Sequence, residues 1–173
     1  SDDITLPNVR FAVAAIAEHV LARNPNPTLL IGHDTRFFAE EFTRTAAEIL
    51  REYSIKVLLC DTPTPTPVLA YEIRRRKVDG AINFTASHNP AHYHGLKFSS
   101  ADAGPALPEV TKDIEARVVK MLKKDAASAG GANNEGAAKR AANELVNLRE
   151  NYLLRIEQLV SFDGLRQSQT KIC

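Results

Sequence analysis

The sequence is poor in cysteine, has no excess of charge of either sign, and contains no long apolar run. Its two cysteines, Cys60 and Cys173, are too few for a disulfide framework, so reduced thiols in a cytoplasmic protein are the simpler expectation. Lysine and arginine number 22 against 21 acidic residues, a formal charge of +1, which argues against a nucleic-acid binder with a strongly basic face. The basic cluster Arg74-Arg75-Arg76-Lys77 reads instead as the solvated end of a helix, where cations suit the macrodipole. No apolar stretch approaches a membrane span, no secretory signal pattern opens the chain, and no internal repeat is evident. Neither a membrane nor a nucleic acid is therefore expected as a partner.

What is present is ordinary globular material: 173 residues, 44% apolar and 25% charged, enough for one domain with a core, or for one domain plus an appendage. Val9, Val13, Ile16 and Val20 recur at helical spacing after a candidate cap at Thr5 and a first-turn Pro7. A short strand at 28–31 leads through Gly32-His33-Asp34-Thr35-Arg36 to an amphipathic helix at 39–53. A second buried strand at 55–60 precedes the proline-rich connection 61–67 and a helix at about 68–77. Strands follow at 80–84 and 95–99, the second antiparallel because only about ten residues separate the two. Residues 108–124 form another helix. The alternation predicts an α/β fold: a three-layer α/β/α domain over residues 1–124 with a mixed, mainly parallel four-stranded sheet. Residues 125–140, rich in alanine, glycine and asparagine, read as a flexible linker. Residues 141–173 read as a C-terminal bridging helix, with Leu145, Leu148, Tyr152, Ile156 and Leu159 on one face, and the start of a second domain whose first strand begins at 170–173.

Chemistry concentrates between Asp79 and Phe98. The apolar residues Ala81, Ile82 and Phe84 end abruptly in Thr85-Ala86-Ser87-His88-Asn89-Pro90. A strand that stops in a tight polar turn presents side chains at the carboxyl edge of a sheet, where open α/β folds bind ligands. Ser87 needs a base or a stabilised anion to act as a nucleophile; His88 supplies the first and Lys97 a cation or a base. Asn89 offers amide donors. Such a set suits a serine that accepts and returns a phosphoryl group, a reaction of positioning and charge neutralisation. Serine, histidine, asparagine and proline are also common turn residues, so a plain loop fits too. Arg36 either reaches a ligand phosphate or pairs with Asp34 to brace the first loop. His88, His92 and His94 fall within seven residues, a spacing that admits a zinc site and a metal-dependent hydrolase. No G-x-S-x-G elbow surrounds Ser87.

The turn Thr85-Ala86-Ser87-His88-Asn89-Pro90 resembles the α-D-phosphohexomutase superfamily, the phosphoglucomutases and phosphomannomutases, and three further segments resemble it in the same order. Gly32-His33-Asp34-Thr35-Arg36 resembles the family's G-x-D-x-R turn. Thr62-Pro63-Thr64-Pro65 resembles its T-P-T-P connection, and Tyr93-His94-Gly95-Leu96-Lys97 its Y-N-G-I/L-K segment, with His94 where asparagine is common. The resemblance implies an amino-terminal domain that interconverts 1-phospho and 6-phospho hexoses through a phosphoserine at Ser87 and a bisphosphorylated sugar. It implies Lys97 as general acid/base, and His88 and Asn89 lining the reacting phosphate. It also implies Mg²⁺ bound partly through the Ser87 phosphate, hexose phosphates as partners, and a sugar bisphosphate as activator. The turn's initial threonine leans towards hexose rather than glucosamine phosphates. The family's opening G-T-S/D-G-x-R strand, its D-G-D-G-D-R metal loop and its G-E-x-S-G sugar loop do not occur in the sequence. The remaining domains of one polypeptide are thus expected as partners, and the isolated segment is expected to be inactive. A non-catalytic domain that binds phosphosugars or another protein is the alternative.

Overall fold

A computed structural model describes residues 4–127 and 144–168. In chain order its elements are α1 (Leu6–Leu21), β1 (Thr28–His33), α2 (Ala39–Glu52), β2 (Lys56–Cys60), α3 (Thr66–Arg76) and β3 (Gly80–Phe84). They continue with β4 (Leu96–Ser100), α4 (Pro108–Ala127), β5 (Glu144–Val146), α5 (Arg149–Leu159) and α6 (Phe162–Gln167). The Thr5 side chain accepts from the Asn8 amide at 3.4 Å, and a proline in the first turn of α1 gives up a donor that has no helical partner there. Among the described residues no helix is long and apolar enough to cross a membrane.

The sheet runs β4-β3-β1-β2-β5, with β4 antiparallel to β3 and the other pairs parallel. Successive side chains of a strand point to opposite faces, so each central strand feeds two cores. Leu29, Ile31, Val57, Ile82 and Phe84 pack with α1 and α2, and α4 leans on the same side through Val110 and Ile114. Leu30, Leu58 and Ala81 pack with Val68, Leu69 and Ile73 of α3 and with Leu148 at the start of α5. Burial on both faces explains why β1 and β3 carry apolar runs rather than an alternating pattern. Because α2 and α3 lie on opposite faces, the loops that leave β1 and β2 diverge, and the carboxyl edge opens between them.

The three-layer architecture, the mainly parallel sheet and the antiparallel β4 agree with the sequence reading. The sheet has five strands rather than four. Residues 144–146 form β5 against β2, in the register Leu58–Glu144, Leu59–Leu145 and Cys60–Val146, where a helix from 141 was expected. The helix starts only at Arg149. Leu145 fits the spacing of that helix by coincidence: it is 66% exposed, while Val146 and Leu148 are the buried pair. A three-residue strand is too short to show its own period, and its stability comes from pairing with an otherwise open edge. Residues 162–167, where no separate helix was expected, form α6. Asp125 continues α4, while most of the expected linker and the strand expected at 170–173 lie outside the described residues.

Ile31 is fully buried at the centre of the sheet, so Ile31→Ala should lower the unfolding free energy by about 2–5 kcal/mol in urea titration. Leu145→Ala should change it by no more than about 0.5 kcal/mol, whereas a core-facing helical leucine there would cost several times as much.

Candidate functional site

The carboxyl ends of β1, β2 and β3 meet at one edge, and backbone hydrogen bonds stitch the loops that leave them. The Asp34 amide donates to the Phe84 carbonyl at 3.0 Å, and the Thr64 amide donates to the His33 carbonyl at 2.7 Å. The third loop, residues 85–95, closes on itself where the Thr85 amide donates to the Gly95 carbonyl at 3.0 Å. A side chain at Gly95 would place its Cβ 2.7 Å from the Thr85 carbonyl oxygen, so only glycine lets the returning chain come this close.

Inside this loop burial ends within one residue. Thr85 and Ala86 are buried, whereas Ser87, His88 and Asn89 are exposed. Ser87 has φ +56°, a left-handed conformation that costs a serine on the order of 1–2 kcal/mol. Two contacts hold it there: the Ser87 amide donates to the Thr85 hydroxyl oxygen at 3.1 Å, and its carbonyl accepts from Arg36. His88 Nδ1 lies 3.3 Å from Ser87 Oγ. The hydroxyl therefore stands on a buried pedestal, open to solvent, with an imidazole in hydrogen-bond reach.

Arg36 is the brace. Its Nε donates to Asp34 Oδ2 at 3.0 Å. One terminal nitrogen donates to the carbonyls of Pro90 (2.6 Å) and Tyr93 (3.1 Å), the other to those of Ser87 (3.0 Å) and Asn89 (2.7 Å). A guanidinium has five N–H donors in a planar fork, and these five contacts match them one for one. Asp34 fixes the fork from behind, because its other oxygen accepts from the Arg36 amide at 3.0 Å. Burial pushes the Asp34 carboxyl up. The Thr85 hydroxyl, the Arg36 amide and the Arg36 guanidinium outweigh that and hold it below its ordinary 3.8. One threonine hydroxyl thus donates to Asp34 and accepts from Ser87. The bridging role of Thr85 and the four carbonyls did not follow from the sequence, since carbonyls carry no residue signature and threonine is a common strand-end residue.

Lys97 sits on β4 directly opposite Asn83 of β3, exposed, and among the described residues it forms no hydrogen bond or ion pair. The three histidines of the loop diverge. His94 packs edge-on against Phe42 with centroids 5.2 Å apart, His92 stacks near Tyr93, and His88 faces Ser87. Among the described residues no three histidine, cysteine, aspartate or glutamate side chains converge as a metal site, which removes the geometric basis for a zinc hydrolase.

The architecture and the edge define an α/β/α domain that offers a pinned, exposed serine. Residues 1–125 match the family described as phosphoglucomutase/phosphomannomutase, alpha/beta/alpha domain I, and the chain belongs to that family. It is 32% identical over 116 residues to a phosphoglucomutase of Staphylococcus epidermidis RP62A, covering 65% of this chain and 21% of that protein. To the phosphoglucomutase of Staphylococcus aureus MRSA252 it is 34% identical over 107 residues, 62% of this chain and 19% of the relative. Among solved structures, a Thermus thermophilus protein described as a candidate phosphomannomutase aligns with a TM-score of 0.78 at 33% identity, over 94% of this chain and 34% of that one. The open form of Paramecium pp63/parafusin aligns with a TM-score of 0.73 at 20% identity, over 92% of this chain and 33% of that one, a likeness of fold. The chain thus spans about a fifth of the length of these curated relatives and a third of the structures.

Arg36→Lys keeps the charge but has at most three donors and no fork. It should destabilise the domain by about 1–3 kcal/mol in urea titration, with amide exchange in residues 85–95 accelerating more than in β1. A uniform change across the sheet would contradict the bracing. Because the folded Asp34 titrates below its ordinary value, its stabilising contribution is complete above that value and is lost as pH falls through the folded one. Urea titrations from about pH 5 to about pH 2 should therefore show an acid-dependent loss that is smaller in Asp34→Asn.

Proposed function

We propose that this chain is the phosphoryl-carrying domain of a phosphoglucomutase/phosphomannomutase, and that Ser87 is the carrier. The observation that carries this reading is the exposed Ser87 hydroxyl, fixed in a left-handed turn at the carboxyl edge of β3 with His88 Nδ1 at 3.3 Å. Membership of the family and the phosphoglucomutases among the relatives support the substrate class, hexose phosphates.

In the forward step a sugar hydroxyl attacks the phosphorus of phospho-Ser87. The new bond joins that oxygen to phosphorus, and the bond from phosphorus to Ser87 Oγ breaks. The hydroxyl proton passes to Lys97, and the released serine oxygen takes a proton from His88. The resulting bisphosphorylated sugar reorients and returns its other phosphate to Ser87 by the reverse of the same steps. Little covalent work is needed, since phosphoryl transfer depends on alignment and on neutralising the equatorial oxygens. Asn89, exposed beside His88, would donate its amide to the phosphate. Arg36 serves the site by shaping its loop, with its N–H groups committed to Asp34 and the four carbonyls.

The magnesium that the resemblance implies requires hard oxygen donors; among the described residues no three histidine, cysteine, aspartate or glutamate side chains converge to hold it, so a phosphate on Ser87 would contribute oxygen ligands. Mg²⁺ is suited to this role because it keeps several waters and binds substrate phosphates with one or two carboxylates. Those carboxylates would come from outside the described residues, from another domain of the polypeptide. When bound, the ion supplies Lewis-acid neutralisation of the phosphoryl oxygens.

In the complete polypeptide, Ser87→Ala should lower kcat for hexose-phosphate isomerisation by at least about 10³-fold, with phosphate absent from the corresponding peptide by mass spectrometry. His92→Ala should stay within a few-fold of the parent, as its ring packs on Tyr93 rather than on the serine. Equal losses in the two variants would sink the assignment.

A further inference from the structure

Asn83 is a polar residue in the middle of an otherwise apolar strand. It is 5% exposed, and its side-chain nitrogen donates to the Thr66 hydroxyl at 3.0 Å where α3 begins. Its side-chain oxygen, Oδ1, is buried without a partner. A buried amide oxygen left unpaired costs about 1–3 kcal/mol, so it marks either a defect or a place where a donor is received.

A donor stands directly across the ladder. Asn83 pairs with Lys97 in the antiparallel register of β3 and β4, and directly opposed residues project to the same face with Cβ atoms about 4.5–5.5 Å apart. A lysine side chain is long enough to turn back over that gap. The face agrees as well: Phe98 and Leu96, the neighbours of Lys97, pack into the core of α1 and α2, so Lys97 lies on the opposite side with Asn83 and Thr66. Competition for the ammonium is small. Glu72, the one carboxylate of α3, is clamped by Arg75 and Arg76 at 2.6 Å each, and the residues at alternate positions to either side of Asn83, Ala81 in β3 and Thr85 just beyond it, carry no charge.

We propose that Asn83 is a positioning residue for Lys97, its buried Oδ1 accepting a hydrogen bond from the Lys97 ammonium and holding that side chain along the edge towards Ser87. The use of Lys97 as the proton carrier rests on the proposed function; the contact itself does not. An ammonium received by Oδ1 satisfies the unpaired oxygen, and release to the substrate restores the orphan, so the contact favours return of the proton-bearing lysine after each transfer.

The test uses this 173-residue chain and reads Lys97 directly, by NMR titration of its side chain and by the pH dependence of its acylation. Asn83→Leu removes the acceptor at similar volume and should lower the Lys97 titration midpoint by about half to one unit, with roughly three- to tenfold faster acylation below the midpoint. Asn83→Asp replaces the amide oxygen with a charged one and should move both quantities the other way. It also decides the matter if the leucine variant fails to fold. A Lys97 midpoint that is unchanged in Asn83→Asp, or unchanged or raised in a folded Asn83→Leu, overturns the proposal; the rise would mean that the amide turns its NH₂ towards the lysine. Should the shifts occur while Ser87→Ala retains activity in the complete polypeptide, the contact stands and the functional reading falls.

Discussion

The site depends on one cation that is not at its surface. Carbonyl oxygens from residues 87, 89, 90 and 93 converge on a single point, an arrangement in which their dipoles repel one another. The Arg36 guanidinium makes it favourable, and only a planar fork supplies so many donors from one side chain. Asp34 aims the fork, and Thr85 joins Asp34 to the amide of Ser87. Backbone strain at Ser87 is thereby held by a network anchored just beyond β1, the sheet neighbour of the strand that leads to the serine. Remove the guanidinium and nothing else in this group replaces its four loop contacts.

That network works because the sheet beneath it is rigid. Ile31, Ile82 and Phe84 are fully buried, and the β1–β3 register, from Leu29–Gly80 to His33–Phe84, places Asp34 beside Thr85. A slip of one residue would turn every side chain to the other face and separate the brace from its loop. Packing in the core therefore sets the position of an exposed hydroxyl to the tolerance that group transfer needs. What the domain does not provide is exclusion of water, since Ser87, His88 and Asn89 all remain exposed.

Much of this was legible in the residues. The apolar run before Thr85 and the short gap before Leu96 were sufficient to predict β3, its loop and an antiparallel β4. The spacing of Asp34 and Arg36 suggested a brace, but not the four carbonyls it holds, because main-chain groups leave no trace in a side-chain pattern. Strand β5 was hidden by Leu145 and Leu148, which match a helical period although one is exposed and the other buried. The run of cations at the end of α3 read correctly as a helix terminus, but two of them also enclose the fully buried Glu72, and that tertiary commitment is invisible in composition. Asn83 was visible all along as the polar member of a buried strand. Its meaning needed the register that sets Lys97 opposite it.

Charge bookkeeping gives the proposed chemistry its most specific demand. Asp34 and Arg36 cancel, so the brace contributes little net field at the serine. A phosphate on Ser87 would carry about −1.5 to −2 charges at neutral pH. Against it this chain sets Lys97, plus His88 when protonated. Lys97 must also accept a proton in the forward step, and it cannot do that while serving as the main counter-charge. A separate divalent cation would resolve the conflict by supplying the counter-charge to the phosphoryl oxygens, so that Lys97 need not do so. The near neutrality of this edge is therefore a reason why the proposed reaction would need a metal, and the proposed Asn83 contact would hold the proton-bearing lysine between transfers.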